Sequence, residues 1–508
     1  MNNEIMIEKV RAGQPYLYRK NGLPSEVYEV RFKEHISNDA INIALQTTIE
    51  RYPYFKVKYQ EQNGDFYTVP NELPIIAYET SELPVLGGAD NNYYLIAVSH
   101  YETHLYVSFH HGLTDGRGVK NFVETLVYYY CREYYDNIEK IEGILTNDIP
   151  YSDDEIAEPC REKYSVGKNE KIEGLSGKGF TLPETRQPRV SHRRYEMKFS
   201  QAEFMKMCKS YGGSPVTMLS VMMSRSIHVL YPDNKKVINS NFPVDVRHEL
   251  GMDGTYKNCV KSVSLPYGEK EQSMSTEQLC AHYKQFLNAQ RTPNHCKREF
   301  NNIIMLLNVT NHLHSYKGKR SIMRFLDNLK LDTYLISYIG KFNFGSNERY
   351  IDSVHLFSDC ADGLVLNMTC ACGYFNIDIN QDFNSELYVN ALAKEFESEK
   401  IAVSVSDKIE FCTPTDNLMR DMVYPPEIIA ERKTAWQYTT DTVTGAYYAI
   451  EHFAVSSMTA VSNAFIKAFL LKDGETIEQA KQRLNNEQAT RYEMQLQNIM
   501  ELNHKSYN

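Results

Sequence analysis

Residue types and spacing come nearest to chemistry in the run Phe109-His110-His111-Gly112-Leu113-Thr114-Asp115-Gly116. An alternating stretch leads into it and a helical pattern follows, so two adjacent histidines stand at a strand end beside a glycine-bearing turn. Neighbours on a strand point to opposite faces, so the two imidazoles cannot do the same job: one anchors in the core and the other faces a cleft. Gly116 lets backbone pass close to something bulky. Asp115 is placed either to orient an imidazole or to pair with an arginine that braces the turn. On spacing alone, a His-His pair is as a rule a satisfied core or surface pair. One strand cannot aim both rings at one ion without further ligands, so no metal is assigned to the pair, and His312-x-His314 is weaker still. A covalent nucleophile is not indicated: no Gly-x-Ser-x-Gly elbow occurs, and Cys259 reads as core. The glycines of Gly174-Leu-Ser-Gly177-Lys178-Gly179 miss the phosphate-loop spacing, with Ile172 at the first glycine position and Gly179 where Ser or Thr should follow the lysine.

The elements that must position this run are readable around it. A helix is predicted over 37–52, capped by Ser37 or Asn38 and stopped by Pro53. Strands are predicted over 55–59, 93–98 and 104–109, the last two as a hairpin around Tyr101-Glu102-Thr103, with a helix over 119–135. Residues 140–190 are rich in charge and proline, and read as a crossover. Beyond them, strands are predicted over 194–199, 237–242, 260–265, 334–339 and 364–372. Helices are predicted over 201–211, 216–230, 275–290, 299–312 and 385–397. The expected division is a first lobe over 1–145, a crossover over 146–190, a second lobe over 191–405 and a mainly helical extension over 406–508.

Composition bounds the partners. The chain has 508 residues, a soft prior of about three domains. With 42% hydrophobic and 24% charged residues it has the make-up of a globular protein. A net charge of −10 leaves no surplus of Lys and Arg for nucleic acid. The N-terminal residues lack the basic and apolar regions of a signal peptide. No stretch of about 18 apolar residues offers a transmembrane segment. The nearest, 455–471, is interrupted by Ser456, Ser457, Thr459, Ser462, Asn463 and Lys467 and reads as a buried helix. Ten cysteines without a CxxC point to free thiols and a cytoplasmic location. Cys370 and Cys372 are spaced as one face of a strand.

His110-His111-Gly112-Leu113-Thr114-Asp115-Gly116 resembles the HHxxxDG signature of the acyl-CoA-dependent acyltransferases. That superfamily includes chloramphenicol acetyltransferase, the plant BAHD enzymes, alcohol acetyltransferases and peptide-synthetase condensation domains. Arg51-Tyr52-Pro53 is similar to the end of the family's early helix. Asn241-Phe-Pro243-Val-Asp245-Val-Arg247 is similar to the Pro-Val-x-x-Arg strand end of the alcohol acetyltransferase branch, and Ser337-Tyr338-Ile339-Gly340 to its Ser-Asn-x-Gly element. The resemblance spans residues 10–405. Tyr338 departs from the usual Asn, and the plant Asp-Phe-Gly-Trp-Gly motif is absent, Asn343-Phe344-Gly345 being a faint echo.

The resemblance implies an α/β, two-lobe chloramphenicol-acetyltransferase-like fold with mixed sheets and an inter-lobe channel. It implies His111 as general base, His110 as its supporting neighbour, and Asp115 with Gly116 as structural residues of the turn. Arg247 would form a salt bridge with Asp115, and Asn241, Ser337, Tyr338 and Gly340 are candidates for binding the oxyanion or substrate. No cofactor would be bound and no metal used. The co-substrate would be an acyl-CoA, by default acetyl-CoA, and the acceptor a small alcohol or amine, with one active site per chain. The alternatives are a condensation-type enzyme taking its acyl group from a carrier protein, and a non-catalytic binder that keeps the fold.

Overall fold

The computed structural model describes residues 7–411, apart from 19–24, 63, 169–178, 187–191, 312, 314–315, 329–331 and 359–362, and a few residues between 475 and 494. The stretch 455–471, His312, His314, residues 174–178 and nearly all of the expected helical extension lie outside the described residues.

A five-stranded sheet carries the histidine run. Its strand order is Ile351–Ser358, Ser25–Phe32, His104–His110, Ile96–Tyr101 and Ala77–Glu79. Ser25–Phe32 pairs antiparallel with His104–His110, placing Ser25 opposite His110 and Arg31 opposite His104. The helices Asn38–Arg51 and Gly116–Tyr134 pack on one another beside this sheet. Their apolar sides, with Ile41, Leu45, Phe122 and Leu126, join Tyr28, Val107 and Phe109 in one core. Ser37 is the cap of the first helix, its Oγ accepting the Ala40 N–H at 3.3 Å. A small sheet of Glu8–Lys9, Asp65–Pro70 and Val57–Gln62 stands beside it.

The second sheet is mixed. Its order is Val260–Tyr267, Ile238–Asp245, Tyr334–Lys341, Leu364–Ala371, Tyr374–Gln381, His192–Ser200 and Val403–Val405, with Ile409–Phe411 also pairing on His192–Ser200. Tyr334–Lys341 runs parallel to both of its neighbours. Pro215–Leu230, Thr276–Gln290 and Leu387–Ser398 cover one face, with Met222, Leu279, Leu366, Ile377 and Phe396 in a second core.

Three outcomes differ from the sequence reading. The strand Ile351–Ser358 lies in the segment expected to be wholly second-lobe, yet it pairs with Ser25–Phe32 in the first sheet. Residues 409–411, at the start of the expected helical extension, form a strand. The strand before Cys372 ends at Ala371, so Cys372 sits in the following turn with φ of 52° and does not share a strand face with Cys370.

Candidate active site

His110 ends its strand fully buried. Its Nδ1 accepts the Gly112 N–H at 2.9 Å, and an N–H can only donate, so Nδ1 is the bare nitrogen and the neutral ring carries its proton on Nε2. The Tyr59 hydroxyl lies 3.4 Å from the same Nδ1. Burial, with the neighbouring His111, pushes the His110 pKa down to about 3. This imidazole is a neutral brace that closes the turn.

His111 emerges on the other side and is half-buried. Its Nδ1 lies 2.9 Å from Asn258 Oδ1, while Asn258 Nδ2 donates to the His111 carbonyl at 2.8 Å. Turning the Asn258 amide over would set two oxygens against each other, so its orientation is fixed. An amide oxygen only accepts, so Nδ1 carries the hydrogen and the lone pair of neutral His111 is on Nε2. Tyr16, from the short helix Gln14–Leu17, stacks on the ring with centroids 3.8 Å apart and planes 10° from parallel. Glu26 Oε1 lies 3.5 Å from Nε2. The ring is thus held at one edge and one face, and presents its basic nitrogen at the opposite edge beside a carboxylate.

Asp115 caps the helix Gly116–Tyr134, its Oδ1 accepting the Gly118 N–H at 2.8 Å. One Arg247 nitrogen reaches both Asp115 oxygens at 2.8 and 3.0 Å, and the Cys259 N–H donates to Oδ2 at 2.8 Å. Arg247 also donates to the Thr255 and Lys257 carbonyls and to Asp245. Both members of the pair are buried, and nearby Asp115 overcomes burial to push the guanidinium pKa upward. Removing one member leaves the other buried and uncompensated. The segment Tyr256 to Cys259 is therefore bound from several sides: by Arg247, by Asp115, by Thr114 Oγ1 donating to the Tyr256 carbonyl at 2.6 Å, and by His111.

Gly116 is required by close approach. A Cβ there would meet Ile339 Cδ1 at 2.2 Å and the Tyr28 hydroxyl at 2.9 Å. Ile339 lies on Tyr334–Lys341, so this strand of the second sheet passes directly against the start of the motif helix. Ser337 shares that face of the strand with Ile339. Tyr338 points the other way, into the second core, its ring centroid 6.0 Å from Phe375. Gly340 takes φ of 93° at an irregularity in the pairing. The Asn241 amide is committed elsewhere: Nδ2 donates to Asp332 at 2.7 Å, and Oδ1 is buried without a partner. The structure thus brings His110, His111, Asp115, Gly116 and Arg247 together and sets Ser337 on the face that meets the turn. It turns Tyr338 away.

Asn258, Tyr16 and Glu26 were not picked out from the sequence. They carry no motif, and each reaches His111 only because two sheets and an N-terminal turn converge. Among the described residues, Glu196, His355 and Asp378 form a group with the spacing to hold a metal ion. Their oxygens are already engaged, Glu196 by Arg31 at 2.8 and 2.5 Å and Asp378 by Arg194 at 2.9 Å. This group reads as an ion-pair cluster.

No family model matches the chain, and no curated protein matches it in sequence. Solved structures match it in shape. Polyketide synthase associated protein 5 from Mycobacterium tuberculosis is 13% identical with a TM-score of 0.52, covering 76% of this chain and 96% of that one. TRI101 of F. sporotrichioides, complexed with coenzyme A and T-2, is 11% identical with a TM-score of 0.51, covering 78% of this chain and 99% of that one. The TRI3 trichothecene 15-O-acetyltransferase from Fusarium sporotrichioides is 13% identical with a TM-score of 0.51, covering 77% and 95%. At these identities the likeness is one of fold: the chain has the two-lobe, mixed α/β architecture of the chloramphenicol-acetyltransferase-like proteins. No helix among the described residues is long and apolar enough to cross a membrane.

Proposed function

We propose that the protein is an acyltransferase that moves an acyl group from coenzyme A to a hydroxyl or amine acceptor, with His111 as general base. The observation that carries this reading is the imidazole whose Nδ1 is committed to Asn258, leaving the Nε2 lone pair at the accessible edge of the ring. A proton acceptor poised in that way contributes about 10²–10⁴-fold to transfer. The acceptor's proton passes to Nε2 as its oxygen or nitrogen attacks the thioester carbonyl. The tetrahedral intermediate then collapses, the carbon–sulfur bond breaks, and the imidazolium returns the proton to the departing thiolate. No residue is acylated in this scheme, in keeping with the nucleophile-poor site, where Cys259 is buried and its pKa is pushed up by that burial.

The fold supports the reading, as does the coenzyme A bound to TRI101 in its solved structure. Ser337 is the proposed oxyanion donor, since Asn241 donates to Asp332 and Tyr338 faces the second core. Asp115 and Arg247 hold the turn without touching substrate.

The test is thiol release from acetyl-CoA and longer acyl-CoAs by the purified protein, across a panel of alcohols and amines. Acceptor-dependent release that falls by about 10²–10⁴-fold in a folded His111→Ala variant is the expected result. Equal release by that variant overturns the role of His111. Silence from every acyl-CoA overturns the coenzyme A donor and redirects the search to a carrier-protein thioester. Ser337→Ala is expected to lower kcat by about 10²–10³-fold with KM little changed.

A further inference from the structure

We propose that the acceptor carries an ammonium group at a distance from its nucleophile, and that Asp332 and Asn241 receive that group. The inference rests on the acyl-transfer reading above and narrows its acceptor. It starts from the face of the second sheet that is turned away from the second core. Ile339 stands on that face and meets the motif turn at Gly116. Ser337 shares the face on the same strand, and Asn241 and Ser264 share it on the next two. Their neighbours Phe242, Val263 and Leu265 point the other way, into the core. Asn241 pairs beside Leu335 and opposite Ser264, so the face continues in register across three strands. Ser337, Asn241 and Ser264 are all partly exposed.

Asp332 lies just before Tyr334–Lys341 and turns its carboxylate onto this face, half-buried. Asn241 Nδ2 donates to its Oδ2 at 2.7 Å, and the Ser264 hydroxyl donates to Oδ1 at 3.4 Å. Both donors are neutral, and among the described residues no Lys, Arg or His forms an ion pair with Asp332. Burial pushes its pKa upward, and the two neutral hydrogen bonds offset only part of that. Asp245, on the same face as Asn241, differs in having Arg247 at 2.9 Å. Next to Asp332, Asn241 Oδ1 is buried without a partner.

A carboxylate partly withdrawn from water without a countercharge is costly, and so is an amide oxygen buried without a donor. One ligand group answers both. An ammonium brings the missing charge and has hydrogens for the carboxylate and for the amide oxygen. A hydroxyl brings no charge. A divalent ion asks for more oxygens than one carboxylate, one amide and one hydroxyl supply. The phosphates of coenzyme A are repelled here, which assigns this stretch to the acceptor. Ser337, the proposed oxyanion donor, marks the reacting end. The chain from Asp332 to Ser337, at about 3.3 Å per residue, spans no more than about 16 Å. The acceptor is therefore elongated, with its nucleophile at one end and a cationic nitrogen within that reach. The ammonium keeps its protons and takes no part in bond making.

The experiment uses acceptor pairs that differ in a distant amine, with acetyl-CoA and the full-length protein. The pairs are 8-amino-1-octanol against 1-octanol and 1,8-diaminooctane against octylamine, the latter counted per amine. In the wild type the ratio of kcat/KM within a pair is expected to favour the member with the extra amine. It is expected to fall by about 10- to 100-fold in Asp332→Asn, the range of a lost charge-assisted hydrogen bond. The ratio for 2-aminoethanol against ethanol, too short to reach Asp332 from the reacting end, should not move. A wild-type ratio at or below one for the long pairs overturns the proposal, as does one that survives Asp332→Asn. A short-pair ratio that falls equally puts the charge effect at the reacting end and overturns it too. Should Asp332→Asn fold poorly, the wild type decides alone: 8-hydroxyoctanoate is expected to be a poorer acceptor than 1-octanol, and equal use overturns the proposal. A wild type that transfers to no acceptor overturns the acyl-transfer reading instead, and binding then decides. A thermal midpoint raised more by 8-amino-1-octanol than by 1-octanol, with the difference lost in Asp332→Asn, supports the ammonium site. Equal responses to the two probes overturn it.

Discussion

At the scale of single residues, two neighbouring histidines are driven apart by their surroundings. His110 is sealed in the core and kept neutral, while His111 is half-buried with its basic nitrogen at an open edge. The sequence placed both at a strand end and assigned them to opposite faces, because side-chain alternation is a local property of a strand. It did not show what holds either ring, since Asn258 lies 147 residues away. The His110 environment makes a pH prediction. Burial lowers its pKa from 6.5 to about 3, so in that window the unfolded chain binds the proton and the folded protein does not. Stability that is complete above pH 6.5 is therefore lost as the pH falls towards 3, by about 1.4 kcal/mol for each unit within the window. Urea unfolding of wild type and His110→Gln between pH 7 and 5 should show a shallower pH dependence in the variant. Equal slopes would remove His110 from the account.

At the scale of elements, local signals served well where one face of an element is apolar. The helix Asn38–Arg51, the hairpin Ile96–Tyr101 with His104–His110, and Pro215–Leu230 all show spacing that the buried side dictates. Ser25–Phe32 escaped notice because Glu29 and Arg31 interrupt its apolar residues. Buried Glu29 is held by Arg31 and His104 close by, and by Arg194, 165 residues on. The contact between the motif helix and Tyr334–Lys341 is testable. Gly116→Ala pushes a methyl group into Ile339 Cδ1 and is expected to cost about 1–3 kcal/mol of stability. Ile339→Val removes that Cδ1 atom, so the double variant should recover much of the loss. A double-mutant cycle from denaturant unfolding checks it, and strictly additive effects would mean that the two residues do not meet.

At the scale of the whole molecule, the two sheets are joined by a strand and by charge. Ile351–Ser358 leaves the second lobe to pair in the first sheet. Beside it, Arg194 reaches Glu29 of the first sheet at 2.6 Å and Asp378 of the second at 2.9 Å, and also pairs with Glu196. Burial works against an ionised Glu196, but Arg31, His355 and Arg194 outweigh it and bring its pKa down to about 2. Arg194→Met removes the cation that Glu29, Glu196 and Asp378 share, leaving them Arg31, His104 and His355, and is expected to cost about 3–5 kcal/mol, read from the urea midpoint. A cost near zero would show that Arg194 does not help to bind the lobes. By itself the sequence determined the strand–turn–helix around His110 and His111, that the two rings take opposite faces, and the close approach that Gly116 must permit. These follow from short-range sterics and from alternation, which act between residues close in the chain. Only the tertiary structure decided that Asn258 orients His111, that Glu26 stands beside Nε2, that Tyr338 turns into the core and that one second-lobe strand joins the first sheet. Those are contacts between distant segments, and no local pattern encodes which segments will meet when two cores and a buried charge cluster are satisfied together.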